Sequence, residues 1–197
     1  GDLYFIGLYA LFYRISNIGI FVLDNISKGF LPVMYENYQS TQGKVFNKKI
    51  FDNFILILIP LFIIIFLLKD YLIILLGGTN AQEYLNYSYL LPSICFSSII
   101  FNGMTMNGFG FTIKRKTKYI TLISILSIII NVTICWFLIP IYGFPVVISS
   151  TLFSSIISSS IYTLISERLF KFDYNIKTMN FIYFTLFIVS QTLIFLN

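Results

Sequence analysis

Five polar side chains in an otherwise apolar stretch set the chemical question: Arg14, Asn17, Asp24, Asn25 and Lys28. Placed on a helix at 100° per residue with Arg14 at zero, Asn17 falls at about −60°, Asp24 at about −80°, Asn25 at about +20° and Lys28 at about −40°. They share an arc of roughly 100° flanked by Tyr9 and Tyr13, with Phe5, Ile15 and Ile26 outside it. A guanidinium presents paired donors that suit a phosphate, and an asparagine amide bonds sugar hydroxyls. A carboxylate in low dielectric can change protonation near neutral pH, which makes Asp24 a candidate for coupling to a proton or sodium ion. Charge inside a membrane is costly and normally faces protein or water, so the stripe is expected to line a cavity for an anionic, sugar-bearing ligand. The same residues also admit a structural reading. Lys28 would then snorkel to the surface, with Arg14 and Asp24 pairing to neighbouring helices.

Other chemistry finds little support in the residues. There is no histidine for general acid–base work, and Cys95 and Cys135 fall inside apolar runs with no CxxC spacing. No carboxylate pair falls in one loop with room for a sugar and no glycine-rich phosphate loop follows a strand, so neither an enzyme nor a resident cofactor or metal is expected. Asn102, Asn107 and Asn131 lie within apolar spans, where interhelical hydrogen bonding is their ordinary role. The serines between 149 and 160 read as small packing residues. Lys69-Asp70 reads as interfacial, and the basic run KRKTK at 114–118 as a topology anchor able to meet membrane lipid headgroups. Asn86-Tyr87-Ser88 matches a glycosylation acceptor by a pattern too short to argue from.

The elements that must position these residues are long and apolar. The 197 residues are 57% hydrophobic and 11% charged, and mean hydropathy is +0.86. Several runs approach the roughly 20 apolar residues that span a bilayer. The pattern predicts an all-α, polytopic integral membrane bundle of six transmembrane helices, at about 3–31, 51–76, 87–111, 119–139, 144–166 and 179–196. Pro32 is expected to end the first, residues 33–49 to form a polar loop, and Pro60 to kink the second. The net charge of +5 does not imply nucleic acid, because nearly all Lys and Arg sit in the loops at 33–49, 112–118 and 167–177. The loops at 77–86 and 140–143 carry none. That alternation places the basic loops in the cytoplasm and both ends of the chain outside.

The stretch NVTICWFLIPIYGFPVVISST, residues 131–151, adds a specific pattern. An apolar helix bearing Asn131 is expected to end before Pro140, Gly143 to make a tight reversal, and a serine-rich helix to follow at once. Asn, an apolar run, Leu-Ile-Pro-x-Tyr-Gly and then a small-residue helix resembles the C-terminal half of Wzx-type polysaccharide-unit flippases. These are the oligosaccharide branch of the multidrug/oligosaccharidyl-lipid/polysaccharide exporter superfamily. The chain departs from that family in reading Phe144-Pro145-Val146-Val147 where Gly-Ala-Ala usually follows Tyr-Gly. The resemblance implies that 1–197 is one of two helical bundles, the N-terminal half lying outside this sequence. It implies a cargo of undecaprenyl-diphosphate-linked oligosaccharide, moved to the outer leaflet of the bacterial inner membrane for O-antigen or capsule assembly, alongside a polysaccharide polymerase and a chain-length regulator. Energy would come from an ion or the membrane potential. A multidrug or peptidoglycan-precursor exporter of the same superfamily is the nearest alternative. A membrane-embedded polymerase is a further one, against which the bare outer loops count.

Overall fold

The computed structural model describes residues 2–196, with the side chains of 2, 22, 105 and 106 left aside. Its long elements are helices: α1 (Asp2–Asn37), α2 (Thr41–Leu76), α4 (Leu91–Asn107), α6 (Lys118–Tyr142), α7 (Pro145–Leu169) and α8 (Ile176–Phe195). Two short helices, α3 (Ala81–Leu85) and α5 (Phe109–Ile113), and 3-10 turns at Gly78–Asn80 and Ser88–Leu90 complete the order. Among the described residues six spans are long and apolar enough to cross a membrane, and no strand occurs. The chain is a polytopic membrane helical bundle.

Two prolines behave differently from the sequence expectation. α1 runs through Pro32 to Asn37, and α2 restarts at Thr41, so the polar stretch 33–49 is mostly helix around a turn at 38–40. Glu, Gln and Lys are good helix formers, and their polarity marks the water interface without breaking the helix. Ser40 caps α2, its hydroxyl accepting from the Gly43 N–H at 2.9 Å. Pro140 likewise lies inside α6, which continues to Tyr142. So near the end of a helix a proline removes one hydrogen bond of the ladder and leaves few turns beyond it to disturb. The reversal itself falls at Gly143, with φ 70° and ψ −153°, a region essentially reserved for glycine. Its N–H returns to the Ile139 carbonyl at 2.8 Å, and Pro145 opens α7 with its φ preset for the helix. Pro60 sits within a continuous α2.

α4 is the most buried span and packs against α1, α2 and α7, while α6 packs chiefly on α7. The α4–α7 seam is close because Gly108 faces Tyr162: a Cβ at Gly108 would lie 2.1 Å from the ring. Serine and asparagine bond across it, Asn107 to Ser159 at 3.4 Å and Gly110 N–H to the Ser166 hydroxyl at 3.1 Å. Ser93 and Ser190 also touch, joining α4 to α8.

One end of the bundle is tied by the strap at 170–175. Its sequence alternates, with Phe172 and Tyr174 turned inward and Lys171 and Asp173 exposed. Tyr174 stacks on Phe51 with ring centroids 4.3 Å apart, and Phe172 meets Phe109 at 5.7 Å. Lys44 and Lys114 lie 5.3 and 5.7 Å from the Phe170 ring centroid. The Glu167 carboxylate accepts from the Phe172 N–H at 3.0 Å and the Asp173 N–H at 2.6 Å, holding the strap to the end of α7. Burial, and after it the nearby Glu167 carboxylate, pushes the Tyr174 phenol above its ordinary range.

Candidate functional site: a polar cleft among α1, α4, α6 and α7

Inside the bundle, a cleft of about 260 Å³ is walled by four helices. α1 contributes Tyr9 and Tyr13, and α4 contributes Ser97, Ser98, Phe101 and Asn102. α6 contributes Ser127, Ile128 and Asn131, and α7 contributes Thr151, Ser154 and Ser155. These residues lie in the middle portions of α4, α6 and α7, so the cleft sits within the apolar slab, yet most of the residues that line it carry a polar group.

Helical periodicity assembles it. On α6, Ser127 and Asn131 are one turn apart and share a face, as do Thr151 and Ser155 on α7. The Asn131 amide donates to Ser150 Oγ at 3.2 Å and Thr151 Oγ1 at 3.1 Å, joining α6 to α7. Cys135 joins the same group, 3.0 Å from Ser150 Oγ. Most of the hydroxyl protons are spent locally: Ser97 donates to the Ile94 carbonyl at 2.8 Å, Ser154 to Thr151 at 3.0 Å and Ser155 to Thr151 at 2.8 Å. What these serines keep for a ligand is lone pairs, which accept from hydroxyl donors. Tyr9 and Tyr13 stack with centroids 6.4 Å apart and planes within 10°, giving one wall an aromatic face. No charged side chain lines the cleft. Its chemistry suits a neutral group rich in hydroxyls.

The predicted charged stripe lies elsewhere on α1. Arg14, Asn17, Asp24, Asn25 and Lys28 are all exposed, on the side of the helix opposite the packed residues Leu8, Phe12, Ile15 and Leu23. Arg14 directly follows the cleft residue Tyr13 but makes no ion pair or hydrogen bond among the described residues. Asp24 pairs with Lys28 at 2.6 Å, one turn along the same helix, so the expected pairing to neighbouring helices does not occur. Exposed pairs of this i,i+4 kind contribute about 0.3–0.5 kcal/mol. The Asn25 amide donates to the Phe21 carbonyl at 2.7 Å, and Phe21 itself, 71% exposed, interrupts the stripe. The five residues share a face, as their spacing requires, and that face looks away from this bundle. Of the motif residues, Asn131 enters the cleft wall, while Pro140 and Gly143 shape the α6–α7 reversal.

Sequence reasoning assigned the serines to packing and missed the cleft. Several of them, Ser150, Ser158 and Ser159, are indeed buried in helix contacts. The available signal was the coincidence of Asn102, Asn131 and the serines at similar depth. Comparison with protein-family models, with curated proteins and with solved structures finds no match, so the fold class and the geometry of the cleft are what bear on function.

Proposed function

We propose that the chain is one bundle of a membrane flippase that carries a lipid-linked oligosaccharide across the bacterial inner membrane for surface polysaccharide assembly. The observation that supports this reading best is the charge-free polar cleft within an apolar bundle, walled by stacked tyrosines and hydroxyl lone pairs. A sugar offers hydroxyl donors to such oxygens and an apolar ring face to such aromatics. Beside it, the open face of α1 carries Arg14 and Asn17, where a diphosphate would find a guanidinium with free donors. The resemblance of residues 131–151 to oligosaccharide flippases supplies the cargo and the missing second bundle. By the positive-inside bias, the end bearing Lys44, Lys48, Lys49, the basic run at 114–118, Arg168, Lys171 and Lys177 is cytoplasmic. The Asp24–Lys28 pair is the candidate for ion coupling.

The test uses the full-length protein in a strain whose surface polysaccharide depends on it. Arg14→Ala, Arg14→Lys and Tyr13→Ala are compared with wild type for lipid-linked oligosaccharide on each leaflet, with membrane abundance measured in parallel. The expected result is normal insertion with oligosaccharide retained on the inner leaflet for Arg14→Ala and Tyr13→Ala, and partial rescue by lysine. Unchanged transport in both variants removes the site assignment.

A further inference from the structure

Between α1 and α2 runs a second, quite different opening. A cavity of about 390 Å³ lined by Phe30, Phe46, Lys49 and Asn53 joins one of about 300 Å³ that extends to Ile15 and Leu72; the two share Leu23, Ile26 and Ile57. From Ile15 to Phe30 the groove rises about 22 Å along α1. Its walls are hydrocarbon except at one end, where Lys49 and Asn53 stand at the mouth, both exposed and neither with a hydrogen-bond or ion-pair partner among the described residues. Ser16, the other polar side chain, spends its hydroxyl on the Tyr13 carbonyl at 2.8 Å.

Depth along α2 says what meets that end. Charge is absent between Asp52 and Lys69. Lys49 and Lys69 are separated by 20 residues, a rise of about 30 Å that equals the hydrocarbon thickness of a bilayer. Lys49 therefore stands at headgroup level, and the groove descends from it into the hydrocarbon. Exposed Ile18, Ile26 and Ile57 rim it on the lipid side. One leaflet supplies about 15 Å of chain, which the part of the groove from Lys49 down to the shared residues Leu23, Ile26 and Ile57 accommodates. The larger apolar groove on α6, α7 and α8 has no charged residue in its wall, so it lacks this combination.

We infer that the α1–α2 groove is a binding site for one anionic phospholipid, an acyl chain lying along Leu23, Ile26 and Ile57 with its phosphate on Lys49 and Asn53. The inference rests on the membrane-spanning fold and is independent of the transport reading. A phospholipid is the occupant because the stretch from Lys49 to Ile57, where the acyl chain is placed, rises about 12 Å along α2 and stays within one leaflet.

The probe is Phe30→Trp in a Trp136→Phe background, which leaves one tryptophan at the groove. The full chain is reconstituted in phosphatidylcholine nanodiscs, and quenching is measured with acyl-brominated phosphatidylglycerol against acyl-brominated phosphatidylcholine. One lysine near an anionic surface corresponds to about a fivefold preference for phosphatidylglycerol, and Lys49→Gln should abolish it. Polyprenyl phosphate at equal mole fraction should not relieve the quenching. Equal quenching by both lipids, indifference to Lys49→Gln, or displacement by polyprenyl phosphate would each overturn the assignment. Should Phe30→Trp not fold, native mass spectrometry of wild type and Lys49→Gln, an exposed substitution, gives the same decision. The wild type should retain one more phosphatidylglycerol per chain than the variant, and equal retention sinks the site.

Discussion

Asn131→Leu is the most informative single change, because Asn131 both walls the cleft and joins α6 to α7. The substitution keeps the side-chain volume and removes two interhelical hydrogen bonds, at 3.2 Å to Ser150 and 3.1 Å to Thr151. Bonds of this kind within membranes average about 0.6 kcal/mol each, so the pair amounts to about 1.2 kcal/mol. No orphan penalty should be added. Ser150 and Thr151 already donate to the Val147 carbonyl, at 3.0 and 2.6 Å, and lose only an incoming donor. Reversible unfolding in mixed micelles, monitored by helicity, should therefore show a loss of about 1 kcal/mol with the bundle intact. A loss beyond about 3 kcal/mol would mean that buried polar groups are left unpaired and that the local accounting is wrong. No loss at all would mean that the Asn131 hydrogen bonds contribute nothing net to holding α6 on α7. Under the transport reading, the same variant should also reduce export far more than its stability loss explains.

Gly108→Ala places a methyl 2.1 Å from the Tyr162 ring. That ring is packed 4.6 Å from Phe111 and has little room to swing, so a loss of about 1–3 kcal/mol is expected. A double-mutant cycle with Tyr162→Leu should recover part of it, and strict additivity would refute the clash. Gly143→Ala meets open space, so its cost is backbone strain alone, about 1–3 kcal/mol at this φ and ψ. Gly143→Asn should cost about as much as Gly143→Ala in the same unfolding assay, since asparagine is favoured in the αL region and not here, and no loss in either would argue against the conformational origin.

The six spans were legible because membrane helices declare themselves locally: a run of apolar residues is both the span and the evidence for it. Their ends were less so. Pro32 and Pro140 read as terminators, yet each sits near a helix end, where the missing N–H costs little. The charged stripe on α1 was legible for the same local reason, since Arg14, Asn17, Asp24, Asn25 and Lys28 need only one helix to share a face. Which way that face looks depends on Leu8, Phe12 and Ile15 finding α4, a tertiary fact. The cleft was illegible because no single helix contains it. Ser97, Asn102, Ser127, Asn131 and Ser155 are each ordinary polar residues in a membrane helix, and only their convergence makes a site.

The strap at 170–175 bears on how the bundle can move. Phe170, Phe172 and Tyr174 fasten the start of α2, α5 and the end of α7 at the basic end, through Tyr38, Lys44, Phe51, Phe109 and Lys114. At the far end Phe144, at the start of α7, stacks on Phe5 of α1 at 4.8 Å, and Phe5 and Tyr4 also pack against Tyr87 and Tyr84. The strap thus acts as a rivet for α2, α5 and α7 at one end, and the Phe5–Phe144 stack as a clasp between α1 and α7 at the other. Tyr9 and Tyr13 of α1 and Thr151, Ser154 and Ser155 of α7 wall the same cleft, so parting Phe5 from Phe144 would widen it. Under the transport reading, distances across the strap should stay fixed while those across the clasp change.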